Sequence, residues 1–155
     1  MIEYRDTHTF TKEALQELFL SVEWSSGHFP DKLQRAMEGF STVYTAWDGD
    51  TLVGLIAALD DGVMTAYIHY LLVRPEYQGA GIGKALVERM KARYRDYLRT
   101  VLVAYDEEIG FYEACGFTRH HTVANFFTDN YDHPIIEAGV QLRDMVYLRR
   151  EIPEA

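Results

Sequence analysis

The chain has 155 residues, 48% of them hydrophobic and 25% charged, a composition suited to one domain spanning 1–155 with a buried core. A formal net charge of −9 argues against nucleic acid as a partner, because phosphate backbones are held by clustered Lys and Arg, and it suits a cationic substrate. Met1 to Asp6 lacks the layout of a signal peptide, no apolar run approaches a membrane span, and the single Cys115 excludes an internal disulfide or a cysteine-based metal cluster, so a cytoplasmic, non-membrane protein is expected.

In chain order, Ile2 to Arg5 reads as a strand, and Leu15, Leu18, Phe19 and Val22 mark one face of a helix beginning near Thr11. Leu33, Ala36, Met37 and Phe40 repeat that spacing after the start signal Pro30-Asp31. The loop between them, Glu23 to Phe29, holds two large aromatics, an acid and a histidine, so Glu23, Trp24, His28 and Phe29 are candidate substrate residues, with edge packing of the aromatics as the alternative. Thr42 to Trp47 and Leu52 to Leu59 form a hairpin across Asp48-Gly49-Asp50, and Asp60-Asp61-Gly62 turns the chain into a long strand from Val63 to Val73.

That strand ends at Pro75 in V-R-P-E-Y-Q-G-A-G-I-G-K-A-L. Gly79, Gly81 and Gly83 permit close backbone approach, while Ile82, Leu86, Met90 and Tyr94 fall on one face of a helix expected to run to about Tyr97. The unpaired amides at its start make a site for phosphate. A P-loop needs glycine at 78 and Ser or Thr at 85, where the chain has Gln78 and Ala85, so an ATP-using enzyme is disfavoured. A dinucleotide fingerprint fails because Lys84 occupies the place of its last glycine. Beyond this helix, Thr100 to Tyr105 reads as a strand reached by a parallel crossover, Glu107 to Cys115 as a short helix, and Phe117 to His120 and Val140 to Leu148 as the last strands. The last of these is a candidate for pairing across a homodimer.

Two motifs carry a family resemblance. Gln78-x-x-Gly81-x-Gly83, after Leu-Leu-Val-Arg-Pro, resembles the acyl-coenzyme A loop of the GNAT N-acyltransferases, and Gly110-Phe111-Tyr112-Glu113-Ala114-Cys115-Gly116-Phe117 resembles that family's second signature. The likeness is close from Val43 to Phe117 and looser at the ends. It implies an α/β (α+β) fold, with a mixed, mostly antiparallel sheet of six to seven strands flanked by helices. It also implies acetyl transfer from acetyl-CoA to an amine by direct attack, without a metal.

By that resemblance, Gln78, Gly79, Ala80, Gly81, Ile82, Gly83 and Lys84 hold the cofactor diphosphate, with Arg89 and Lys91 as nearby bases. The main chain of Leu71, Leu72 and Val73 meets the pantetheine arm where a bulge in the fourth strand splays it from the fifth. Tyr112 matches the residue proposed to protonate the departing thiolate. Many relatives have asparagine where this chain has Tyr105, which leaves open whether Asp106 substitutes.

Neutralising an alkyl ammonium at pH 7 costs roughly 4 to 5 kcal/mol, so a base is expected, and His69 is the first candidate, with Glu23 and His28 as rivals. Strict alternation puts His69 on the face of Leu71 and Val73, with Tyr70 pointing the other way, and Tyr70 or Tyr67 is a candidate substrate residue. A hydrogen-bonded core histidine is the structural alternative. Phe126, Phe127 and Tyr131 add to the aromatic character, whereas His120, His121 and His133 lack metal-ligand spacing. The competing function is a CoA-binding sensor or interaction module without turnover.

Overall fold

Helix α1 (Lys12–Ser21) starts where the Thr11 hydroxyl accepts the Ala14 amide at 3.1 Å, and it buries Leu15, Leu18 and Phe19 completely. Each such side chain contributes about 1.5 to 3 kcal/mol of burial. The computed structural model describes residues 1–123, 136–137, 140–141 and 145–151. Helix α2 (Pro30–Gly39) opens on proline, whose missing N–H costs a helix start nothing, and it buries Leu33 and Met37.

Strands β1 (Ile2–Asp6), β2 (Thr42–Asp48), β3 (Thr51–Asp60) and β4 (Thr65–Val73) make an antiparallel meander. β4 begins later than Val63 because the Asp61 carboxylate accepts the amides of Val63, Met64 and Thr65 at 2.9, 2.7 and 3.1 Å and holds them in a turn. Helix α3 (Ile82–Arg93) crosses to β5 (Arg99–Ala104), which runs parallel to β4. α3 stops short of the expected Tyr97. Tyr94 caps it, fully buried, with its hydroxyl 2.7 Å from both Thr42 Oγ1 and Asp60 Oδ2, and the chain turns away there.

After β5 come a 3-10 turn (Asp106–Glu108), helix α4 (Ile109–Ala114) and β6 (Thr118–Val123). The expected final strand from Val140 to Leu148 is two elements. β8 (Val140–Gln141) pairs with β7 (Ile136–Glu137) in a small sheet, and β9 (Met145–Glu151) enters the main sheet. The main sheet has the order β1-β2-β3-β4-β5-β9-β6, so the mixed seven-stranded sheet with flanking helices agrees with the expectation. β9 is paired on both sides, by β5 and β6, which removes it as the strand expected to pair across a dimer. Phe126, Phe127, Tyr131 and His133 lie outside the described residues.

One apolar cluster gathers α1, α2 and one sheet face around Phe19, Met37 and Leu55; the other gathers α3, α4 and the opposite face around Leu86, Met90 and Phe117. β4 contributes to both in an order that strict alternation misses. Ala57 is paired with Tyr70 and Ala58 with Ile68, so His69 is the extra residue of a β-bulge. Before the bulge Ala66 and Ile68 face α3; after it Leu71 and Val73 do. His69 therefore does not share a face with Leu71 and Val73, nor does it oppose Tyr70. The two rings lie 4.4 Å apart, and His69 stacks on Phe40 of the α1/α2 cluster at 6.1 Å.

Candidate active site

The bulge coincides with the end of β4–β5 pairing. Ile68 opposite Leu102 is the last matched pair, after which β5 continues against β9 alone, through Val103 and Ala104. The two parallel strands diverge into a gap. The Arg74 amide bonds the Val53 carbonyl at 2.8 Å, so by alternation Leu72 turns its main chain to β3 while Leu71 and Val73 turn theirs into the gap. Gln78 reaches back into this region, its amide donating to the Val73 carbonyl at 2.9 Å.

A cleft of about 750 Å³ opens here, running from the Gln78–Lys84 turn past Leu71 to Val73 and Tyr112 to Glu23 and Trp24. At one end, Gly79 and Gly81 have φ of 84° and 85°, a left-handed conformation that side chains rarely adopt, and nothing within 4 Å would meet a Cβ on either. This open backbone leads into α3, whose N-cap Gly81 offers no side chain to its first amides. Those amides and Lys84, which lines the cleft, suit an anionic phosphate group. Exposed Ala80 does not line the cleft. Arg89 and Lys91, expected as helping bases, are engaged elsewhere: the Arg89 guanidinium lies 4.6 Å over the Tyr4 ring, and Lys91 donates to the Cys115 carbonyl at 2.7 Å.

Tyr112 stands in the wall, 6% exposed, between Phe111 and Phe117 with ring centroids at 5.2 and 6.1 Å. Burial, then the nearby Glu108, Cys115 and Tyr105, push its phenol well above the ordinary tyrosine pKa, so it keeps its proton through the neutral range. Such a phenol can donate a hydrogen bond to a developing thiolate. Cys115 is a buried core residue, as its apolar surroundings suggest, and burial raises its thiol pKa.

At the far end, Glu23 adopts φ 59°, unusual for a residue with a side chain, and this turn sends the chain into a 3-10 segment (Ser25–His28). Trp24 packs edge-on against Phe19 at 6.3 Å, 5.3 Å from Tyr70 and 6.3 Å from Tyr105. The Ser26 and Tyr70 hydroxyls are 2.9 Å apart. Phe29 and Tyr70 share a smaller hollow of about 260 Å³ with Lys32 and Leu33, whereas His28 lines neither space.

His69 also lies outside the cleft lining. Its Nδ1 is 3.1 Å from the Tyr67 hydroxyl, and crowding by neighbouring rings depresses its pKa, although one edge reaches solvent. Burial raises the Tyr67 phenol in turn. Two acids that sequence reasoning passed over, Glu107 and Glu108, line the cleft beside Tyr112. Burial raises the Glu108 carboxyl to about 7, with the Tyr105 main-chain N–H opposing and Glu107 reinforcing the shift. Its place four residues before Tyr112 was a usable signal. No group of His, Cys, Asp and Glu suited to a metal occurs among the described residues.

The profile of the acetyltransferase (GNAT) family matches residues 8–117. The chain belongs to the GNAT family. An uncharacterised N-acetyltransferase of Bacillus subtilis, YvbK, is 32% identical over 146 residues, 89% of each chain. Serotonin N-acetyltransferase 2 of rice, a chloroplast protein, is 31% identical over 110 residues, 67% of this chain and 54% of its own length. A Bacillus subtilis acetyltransferase solved with CoA superposes with a TM-score of 0.73 at 27% identity, over 99% of this chain and 100% of that one. An Elizabethkingia anophelis GNAT acetyltransferase with acetyl-CoA bound shares the fold at a TM-score of 0.74 and 23% identity, over 97% and 98% of the two chains. This GNAT chain is thus an acetyl-CoA-dependent N-acetyltransferase, and its two signature motifs meet in one cleft.

Proposed function

We propose that this GNAT protein acetylates a primary amine, of a small molecule or peptide, that carries an apolar or aromatic portion. The observation that carries the reading is the polarity of the cleft along its length. Open glycine backbone and Lys84 stand at one end, Tyr112 in the wall, and Glu23, Trp24 and the acids Glu107 and Glu108 line the remainder. An ammonium group suits those carboxylates, and an aromatic portion suits Trp24, Tyr70 and exposed Phe29. The rice relative's name, with serotonin as its amine, supports the same class.

In this reading the diphosphate of acetyl-CoA rests on the amides of the Gln78–Lys84 turn and on Lys84. The pantetheine arm bonds the main chain of Leu71 and Val73 beside Leu72, and the Leu71 amide supports the oxyanion. Tyr112 hydrogen-bonds the departing sulfur. The chain works as one domain in the cytoplasm; among the described residues no helix is long and apolar enough to cross a membrane. The test is an amine library read by free CoA release. Arylalkylamines are expected to lead, and release from small aliphatic or acidic acceptors alone would overturn the acceptor class.

A further inference from the structure

Among the described carboxylates lining the cleft, Glu23, Glu107 and Glu108, Glu108 alone is half-buried, and it stands one turn before Tyr112. The 3-10 turn Asp106–Glu108 places it immediately before α4, so the i, i+4 spacing puts it on the helix face that carries Tyr112. Glu23, also in the cleft, is exposed. His69 is outside the lining, engaged with Tyr67 and stacked on Phe40.

We infer that the Glu108 carboxylate takes the proton that the acceptor ammonium must lose, and that His69 has no part in this step. The inference rests on the amine-acetylating function proposed above. The charged and titratable groups around Glu108 are Asp106 and Glu107 in its own turn, Tyr105 before it and Tyr112 on α4, with Glu23, Tyr77 and Lys84 elsewhere in the cleft lining. Burial among them holds the carboxyl at about 7, so it is ionised for half or more of the time from neutrality upward and is far more basic than an ordinary glutamate. His69 is exposed and stands outside the cleft lining.

The protons balance. The ammonium gives one proton to Glu108, and the freed nitrogen lone pair attacks the thioester carbonyl carbon. The C–N bond forms and the C–S bond breaks. The leaving sulfur receives its proton through the Tyr112 hydroxyl, which is replenished by the second proton lost from nitrogen. Glu108 then releases its proton to solvent, leaving amide, free thiol and one proton.

The test compares two acceptors, phenethylamine, which is protonated at pH 7, and phenylhydrazine, which is already neutral there. Wild type, Glu108→Gln, Glu108→Asp and His69→Gln are assayed for kcat/KM against pH, with acetyl-CoA affinity measured by calorimetry. Glu108→Gln should keep acetyl-CoA affinity and lose the acid limb near pH 7. It should also lose at least about tenfold in kcat/KM for phenethylamine near pH 7 while sparing phenylhydrazine within about twofold. His69→Gln should keep the limb. A Gln variant that retains the limb, or that slows both acceptors equally, would overturn the inference. Should Glu108→Gln fail to bind acetyl-CoA, the Asp variant decides: a shifted limb supports the role, and an unmoved one refutes it. Wild type that binds acetyl-CoA yet acetylates neither probe would instead remove the arylalkylamine reading, and this inference with it.

Discussion

The Ser26 hydroxyl and the Tyr70 phenol lie 2.9 Å apart, so the loop between α1 and α2 is tied to the residue that follows the His69 bulge. The bulge turns Tyr70 toward that loop, and the hydrogen bond fixes the wall of the smaller hollow. Tyr70→Phe is expected to raise the acceptor KM about threefold to tenfold, the equivalent of one neutral hydrogen bond, with little change in acetyl-CoA affinity. Steady-state kinetics against the best library amine checks this.

Tyr112 is buried and holds its proton beyond the ordinary tyrosine range, so its proposed work as a hydrogen-bond donor should not vary with pH near neutrality. Tyr112→Phe is expected to bind acetyl-CoA normally and to turn over at least about tenfold more slowly by the same factor from about pH 6.5 to 9. Thiol release at saturating donor checks it, and unchanged turnover would remove the assignment.

Glu108 predicts a stability effect of definite sign. Its folded pKa of about 7 exceeds the ordinary 4.5, so the folded chain binds the proton more tightly than the unfolded chain. Its contribution is fully present below about pH 4.5 and is lost as pH rises through about 7. Glu108→Gln removes that loss, so relative to wild type it should gain about 1 to 2 kcal/mol, or a few degrees in midpoint, between about pH 5 and 8 after allowance for partial exposure. Thermal unfolding at the two pH values checks it, and equal differences at both would contradict the assignment.

Much of the fold was legible because its signals are local. Apolar spacing marked α1 and α2, Asp48-Gly49 marked the hairpin, and the glycines before Ile82 marked the start of α3. What escaped depends on tertiary context. Alternation counts one residue per pleat, so the extra residue at position 69 leaves Tyr70 opposite Leu71 and Val73 as expected but takes His69 off the face of Leu71 and Val73. Arg89 and Lys91 are basic and near the turn in sequence, but the helix points them at Tyr4 and Cys115. The i, i+4 spacing to Tyr112 puts Glu108 on that tyrosine's face, but its burial is set by tertiary packing that the sequence does not carry.

Tyr94 shows the same dependence on context, since its hydroxyl joins Thr42 and Asp60 across the sheet. Tyr94→Phe leaves those groups without their shared partner and should cost about 1 to 3 kcal/mol in denaturant unfolding with acetyl-CoA binding retained. Stability equal to wild type would show the bonds to be replaceable by water.

The central claim is that main-chain amides of the Gln78–Lys84 turn grip acetyl-CoA, and Gly81 tests it most directly. Its φ of 85° is strained for any residue with a β-branched side chain, while a Cβ there meets nothing within 4 Å, so Gly81→Val changes the turn without a clash in the core. Calorimetric titration of acetyl-CoA into wild type and Gly81→Val should show affinity at least about tenfold weaker in the variant, with an unchanged far-ultraviolet spectrum. Equal affinities would contradict the account.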